Sequence, residues 1–219
     1  MQAVPRRAPR RTGHSLLELL FGIVLLSLIT GSIALIGGTG TRLFRTSAAR
    51  GGLEADARRA LGRIQQELLS SDQSSLDTFP QAPLWDDRLV FDQPEEYSTR
   101  LGTIEWTSTV IEFRYEEGET DDGIDNDGDD LVDEGMAVLI KAWNDPEERT
   151  VVLCRGLREY LEGEVQNGLD DNGNGLIDEK GLCFDLSEGN LSLRLTLERR
   201  DADRFLVTRT FESSVWLRN

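Results

Sequence analysis

Apolar and polar positions divide the chain into three stretches with different periods. Residues 16–36 are apolar almost without interruption, and Glu18 is the only charge among these 21 positions. At about 1.5 Å per residue the run makes roughly 31 Å of α-helix, enough to cross a hydrocarbon core. Beyond it the apolar residues thin out to every third or fourth place: Leu43, Phe44, Leu53, Ala57, Ala60, Leu61, Ile64, Leu68 and Leu69, with Arg, Glu and Gln between them. That spacing predicts an amphipathic helix ending near Ser70 and Ser71, ahead of Asp72 and the loop with Pro80 and Pro83. Gly51 and Gly52 each weaken a helix by about 1 kcal/mol relative to Ala, so two separate helices compete with one long one.

From Arg88 onward the signal turns to strands. Residues 89–91, 103–106, 109–115, 136–143, 150–154, 191–198 and 205–216 are rich in Val, Ile, Thr and aromatics. Leu191, Leu193, Leu195 and Leu197 alternate with Ser192, Arg194, Thr196 and Glu198, one apolar face against one polar. Residues 204–216 read as the antiparallel partner across the turn at Asp201, Ala202 and Asp203. The expected fold is α+β, a long N-terminal helix packed on an antiparallel sheet.

Charge narrows the picture. The chain carries a formal −16, with 40 acidic and 24 basic residues. Four of the arginines (Arg6, Arg7, Arg10, Arg11) stand just before the apolar run, and without residues 1–13 the charge becomes −20 over 206 residues. A body so acidic is a poor nucleic-acid binder, and no nucleic-acid partner is expected. The one histidine is His14, beside the apolar run. No Ser/His/Asp, Cys/His or His-rich zinc constellation can therefore form in the globular part, and no enzymatic activity is expected.

The apolar run admits three readings: a cleaved secretory signal, a plain signal anchor oriented by the arginines, or a processed assembly helix. Only the last accounts for Glu18, because a carboxylate in lipid is costly and needs a partner. The basic leader, Gly13, and the stretch His14, Ser15, Leu16, Leu17, Glu18, Leu19, Leu20 resemble the prepilin signature of type IV pilins and type II secretion pseudopilins. The resemblance implies cleavage between Gly13 and His14 by a prepilin peptidase and methylation of the new N-terminus. It also implies that Glu18, fifth in the mature chain, sets assembly register against the N-terminal amine of a neighbouring subunit. His14 departs from the family, which usually has an apolar residue first. Phe113-Arg114-Tyr115, residues 150–155 and the closing residues 211–219 resemble the J-type minor pseudopilins and PilW-like minor pilins.

The implied organisation is a leader at 1–13, a transmembrane and assembly helix at 14–36, its amphipathic extension at 37–71, and a β-rich head at 72–219. The protein would be a single-pass inner-membrane protein with its head in the periplasm, entering a filament with other pilins or pseudopilins at or near the tip. A secretion pseudopilus and a type IV pilus fit equally. A membrane-anchored calcium-binding or adhesive domain that never polymerises is the competing class.

Residues 122–134 align without gaps to residues 167–179, 45 positions later. Alternating Asp and Asn supply the six to eight oxygens that calcium takes. The expected ligands are Asp125, Asp127, Asp129, Asp133 and the Leu131 carbonyl in the first repeat. In the second they are Asp170, Asn172, Asn174, Asp178 and the Leu176 carbonyl. Two Ca2+ sites follow, the second weaker because it holds fewer carboxylates; solvated acidic turns are the alternative. Ile124/Leu169 and Leu131/Leu176 would anchor each loop on the core. The repeats resemble the Asp/Asn-rich calcium loops of dockerin, thrombospondin type 3 and EF-hand proteins. They depart at the twelfth EF-hand position, which falls on Met136 and Gly181, so Glu134, Glu179, Asp122 or Asn167 are candidates to replace its bidentate acid. Cys154 and Cys183 flank the second repeat, and an extracytoplasmic head favours a disulfide between them over two buried thiols.

Overall fold

The structure, a computed structural model, describes residues 16–71, 73–76, 85–99, 102–187 and 189–217. The expected cleavage junction, Gly13 and His14, lies outside them, as do Arg218 and Asn219. One helix, α1 (Leu16–Leu68), takes in both the apolar and the amphipathic stretch. Among the described residues a 3-10 turn (Gln73–Ser75) and eight strands follow: β1 (Trp85–Asp86), β2 (Arg88–Ser98), β3 (Thr103–Tyr115), β4 (Gly135–Lys141), β5 (Arg149–Leu157), β6 (Leu182–Ser187), β7 (Asn190–Arg200) and β8 (Leu206–Trp216). The chain divides into two units, one reaching Phe44 and one starting at Arg45.

In the first unit the large apolar side chains from Leu16 to Phe44 are exposed. By length and composition α1 can cross a membrane. Five hydroxyls between Ser27 and Thr41 are satisfied within the helix. Ser27 donates to the Val24 carbonyl at 2.7 Å, and Thr30, Ser32, Thr39 and Thr41 donate to carbonyls four residues back at 2.8–2.9 Å. That pattern suits a solvent which offers no hydrogen bonds.

In the second unit the 3.6-residue period does its work. Leu53, Ala57, Ala60, Leu61, Ile64 and Leu68 are buried in one core with Leu89, Phe91, Ile111, Ala137, Leu139 and the four leucines of β7. Burying one large aliphatic side chain stabilises by about 1.5–3 kcal/mol. Several such residues outweigh the roughly 2 kcal/mol that Gly51 and Gly52 cost together, so the helix runs through them unbroken. Polar pins hold it from outside: Arg199 reaches Asp56 at 2.7 Å, Thr46 donates to Asp201 at 2.9 Å, and Gln65 donates to Ser213 at 2.7 Å. At its end Glu67 is buried against Arg63 (2.6 Å), Lys141 (3.0 Å) and Gln93 (2.9 Å).

The sheet is antiparallel and curled. β8 lies along the whole of β7, from Asn190↔Trp216 to Arg200↔Leu206, as the alternation predicts. β6 takes the first half of the other edge of β7, and β5 touches that edge at Leu157↔Leu197. β4, β3 and β2 continue outward from β5. β1 and β2 are separated only by Asp87, yet β1 pairs with β6. β3 is one strand where the composition suggests two, and β1 and β6 are additions to the expected set.

The cysteines correct an expectation. Cys154 and Cys183 are both buried and are not bonded to each other. β5 and β6 follow one another along the same edge of β7, where Cys183 faces Arg194 and Leu157 faces Leu197. Cys154 precedes Leu157 by three residues, so the thiols stand about six strand residues apart, roughly 20 Å at 3.3 Å per residue. A disulfide requires Cα atoms within about 7 Å. Burial pushes each thiol up to about 12.

Candidate metal centre

The two acidic loops leave the sheet from equivalent bases. Tyr115 pairs with Gly135, and Tyr160 pairs with Lys180. Just inside, the Glu116 N–H donates to the Glu134 carbonyl at 3.2 Å, and the Leu161 N–H to the Glu179 carbonyl at 2.9 Å. The repeat is therefore longer than its Asp/Asn run: residues 115–135 match 160–180 at a constant offset of 45, including Glu117-Gly118-Glu119 against Glu162-Gly163-Glu164.

Inside the loops the same hydrogen bonds recur at the same offset. Asp125 accepts the N–H groups of Gly128 and Asp130, and Asp170 those of Gly173 and Gly175, at 2.6–2.9 Å. Asp127 and Asn172 each accept the N–H two residues on at 3.0 Å. Asp129 and Asn174 do likewise toward Leu131 and Leu176 at 2.8 Å. Gly128 (φ +85°) and Gly173 (φ +75°) sit in the left-handed region that the turn requires. Such Asx bonds fold an acidic sequence without a core of its own; Asp127 and Asp129 each spend one carboxylate oxygen on them, while Asp125 and Asp170 spend both.

In the first loop this brings acids together. Carboxylate oxygens of Glu119, Asp125 and Asp127 lie within 4.8 Å of one another, as do those of Asp127, Asp129 and Glu134. Asp127 belongs to both groups, and these acidic groups could hold a metal ion. Every donor atom is an oxygen, the set a hard cation takes. Glu134 is buried, which pushes its carboxyl up to about 7 with Asp129, Glu119 and Asp127 adding to the rise. Burial also raises Asp129, with Asp127, Asp125 and Glu116 adding to it. A third group, Asp121, Asp133 and Glu159, is compensated within the protein. Lys180 meets Glu159 at 2.6 Å, and Asp133 is engaged by main-chain donors.

The second loop keeps the frame with fewer charges. Asn172 and Asn174 stand where Asp127 and Asp129 stand. Glu164 accepts the Asn172 N–H at 2.9 Å, and Glu179 accepts the Asn174 side-chain amide at 2.5 Å.

Of the residues expected from sequence, Asp125 and Asp129 each come within one acidic group with Asp127, and Asp170, Asn172 and Asn174 occupy the equivalent turn. Asp133 and Asp178 lie elsewhere in the loop. Asp133 accepts the N–H groups of Asp122 and Gly123, and Asp178 those of Asn167 and Gly168, at 2.8–3.1 Å. Asp122 and Asn167 cap the N–H groups of Ile124 and Leu169. Leu131 is buried and Leu176 half-buried, but Ile124 (58% exposed) and Leu169 (62%) anchor nothing. Sequence reasoning missed Glu119 and Glu164. Carrying the alignment five residues upstream would have found them, across an interruption where Thr120 and Asp121 face Val165 and Gln166. No family model, curated protein or solved structure matches the chain.

Proposed function

We propose that the chain is a minor pilin or pseudopilin. It is held in the inner membrane by the apolar part of α1, with its head in the periplasm, and is cleaved after Gly13 by a prepilin peptidase and methylated at His14. It then enters a type II secretion pseudopilus or type IV pilus, at or near the tip, through packing of its helix against other subunits. The observation that carries this reading is a 53-residue helix with one acid, Glu18, in its first turn, apolar through Ile36 and buried against an antiparallel sheet only from Leu53 onward. A carboxylate at membrane depth is costly alone and favourable beside the N-terminal amine of a neighbour, so it selects one stagger. The role is structural, with no reaction assigned.

The head is stiffened by calcium held in the two acidic repeats. The convergence of Asp125, Asp127 and Asp129 on one turn supports this, as does repetition of the turn around Asp170, Asn172 and Asn174. Mass spectrometry of the mature protein tests the reading. A chain beginning at His14, dependent on the peptidase, is expected; an intact Met1 start in the membrane would refute it and leave a non-polymerising anchored domain.

A further inference from the structure

We propose that the cation in each repeat is closed in by glutamates outside the Asp/Asn run: Glu119 and Glu134 in the first loop, Glu164 and Glu179 in the second. The inference rests on the calcium reading above and names its ligands. Its independent support is a set of buried oxygens without partners. Glu134 is 1% exposed, Glu164 1% and Glu179 0%, and in each the Oε2 atom has no hydrogen-bond donor among the described residues. Buried carboxylate oxygens are normally satisfied, and an ionised one without a partner is strongly unfavourable. A cation is the partner that fits these atoms: Glu134 and Glu179 hold equivalent places in the two repeats, and Glu164 stands in the second at the place of Glu119.

Their direction is fixed by their other oxygens. Glu164 Oε1 accepts the Asn172 N–H, and Glu179 Oε1 accepts the Asn174 amide, so both point into the turn formed by residues 170–174. In the first loop Glu119 lies within 4.8 Å of Asp125 and Asp127, and Glu134 within 4.8 Å of Asp127 and Asp129, so each meets two acids of the turn. That span is about twice a calcium–oxygen distance of roughly 2.4 Å. Asp133 and Asp178 are occupied by main-chain N–H groups and hold the loop's shape, while the next residue, Glu134 or Glu179, faces the ion.

The two spheres differ in charge. The first offers five carboxylates: Glu119, Asp125, Asp127, Asp129 and Glu134. The second offers three, Glu164, Asp170 and Glu179, with two carboxamides. In the second the Asn174 amide already donates to Glu179, supplying in part what an ion would supply. The first loop is therefore the tighter site.

Calorimetric calcium titration of the full-length chain in detergent, after chelation, tests this with four variants. The wild type should bind two ions of unequal affinity. Glu134→Gln should weaken the tighter site at least tenfold and Glu179→Gln the weaker one. Glu117→Gln and Glu162→Gln, exposed acids of the same repeats with the same charge change, should shift affinity less than twofold. In chelator Glu134→Gln should melt at or above the wild type, because a buried charge is gone, and should lose its calcium-induced rise. Two ions bound with Glu134→Gln and Glu179→Gln indistinguishable from the exposed variants would overturn the ligand assignment and leave calcium binding standing. A lower melting point for Glu134→Gln in chelator would likewise overturn it, as a structural role. No calcium bound by the wild type would defeat both readings.

Discussion

Glu119 accepts the main-chain N–H of Asp127 at 2.8 Å, so a buried acid lying before the Asp/Asn run holds the turn that carries the run's central acid. The same carboxylate accepts the N–H groups of Asn126 at 2.8 Å and Asp133 at 3.2 Å. Glu119→Ala removes all three hydrogen bonds at once. With calcium present it is expected to lower stability by about 2–3 kcal/mol, read as a shift in the urea midpoint. Glu164→Ala removes one such bond, at Asn172, and should cost less. Equal losses would show that the loops are not held in this way.

The first loop is also tied to the sheet. Arg200 donates to the Asp130 carbonyl from Nε at 2.9 Å and Nη2 at 2.6 Å, and Arg204 meets the Asp130 carboxylate at 3.1 Å. Arg200→Ala should increase hydrogen exchange across residues 122–134 and leave 167–179 unchanged. A rise in both loops would place the tether elsewhere.

The thiols give a third prediction. Two free cysteines should be alkylated after denaturation, and melting should not respond to reductant. In the native protein at pH 8 labelling should be slow, because burial holds both thiols near 12 and only the thiolate reacts. A mass two units low before reduction would contradict the topology.

Glu67 supplies a dependence on pH. Burial alone would raise its carboxyl, but the hydrogen bond from Gln93 and the charges of Lys141 and Arg63 outweigh it and lower the value below the usual 4.5. A depressed folded value means stability that is present above about 4.5 and lost as pH falls through the lower native value. Glu67→Gln should cost about 1–2 kcal/mol at pH 7, and the gap to the wild type should close as pH falls through the lowered native value. A gap that stays constant with pH would show that charge at Glu67 does not matter.

The parts legible in the sequence are those where burial imposes a period. Leu191, Leu193, Leu195 and Leu197 alternate because one face of β7 meets the core, and Leu53 to Leu68 repeat at helical spacing for the same reason. β6 escaped because Cys183 and Phe184 make too short an apolar run beside an acidic loop. The gap between the two halves of β3 was illusory, since the polar residues Thr107 and Ser108 pair with Gln93 and Asp92 without interrupting the ladder. Cysteine spacing suggested a bridge, but spacing along the chain is silent on the end-to-end run of β5 and β6 along β7. Within the acidic loops, Asp and Asn do two jobs that look alike in sequence. Asp133 holds backbone, Asp127 faces its neighbouring acids, and only the fold separates them.

The central claim, assembly through the N-terminal helix, is tested most directly by filament incorporation in cells carrying the matching secretion or pilus machinery. The sheared filament fraction should contain wild-type chain starting at His14. Glu18→Ala should be cleaved normally, remain in the membrane and be missing from that fraction. Wild-type chain processed at Gly13 yet never recovered in filaments, or Glu18→Ala recovered as well as the wild type, would contradict the account.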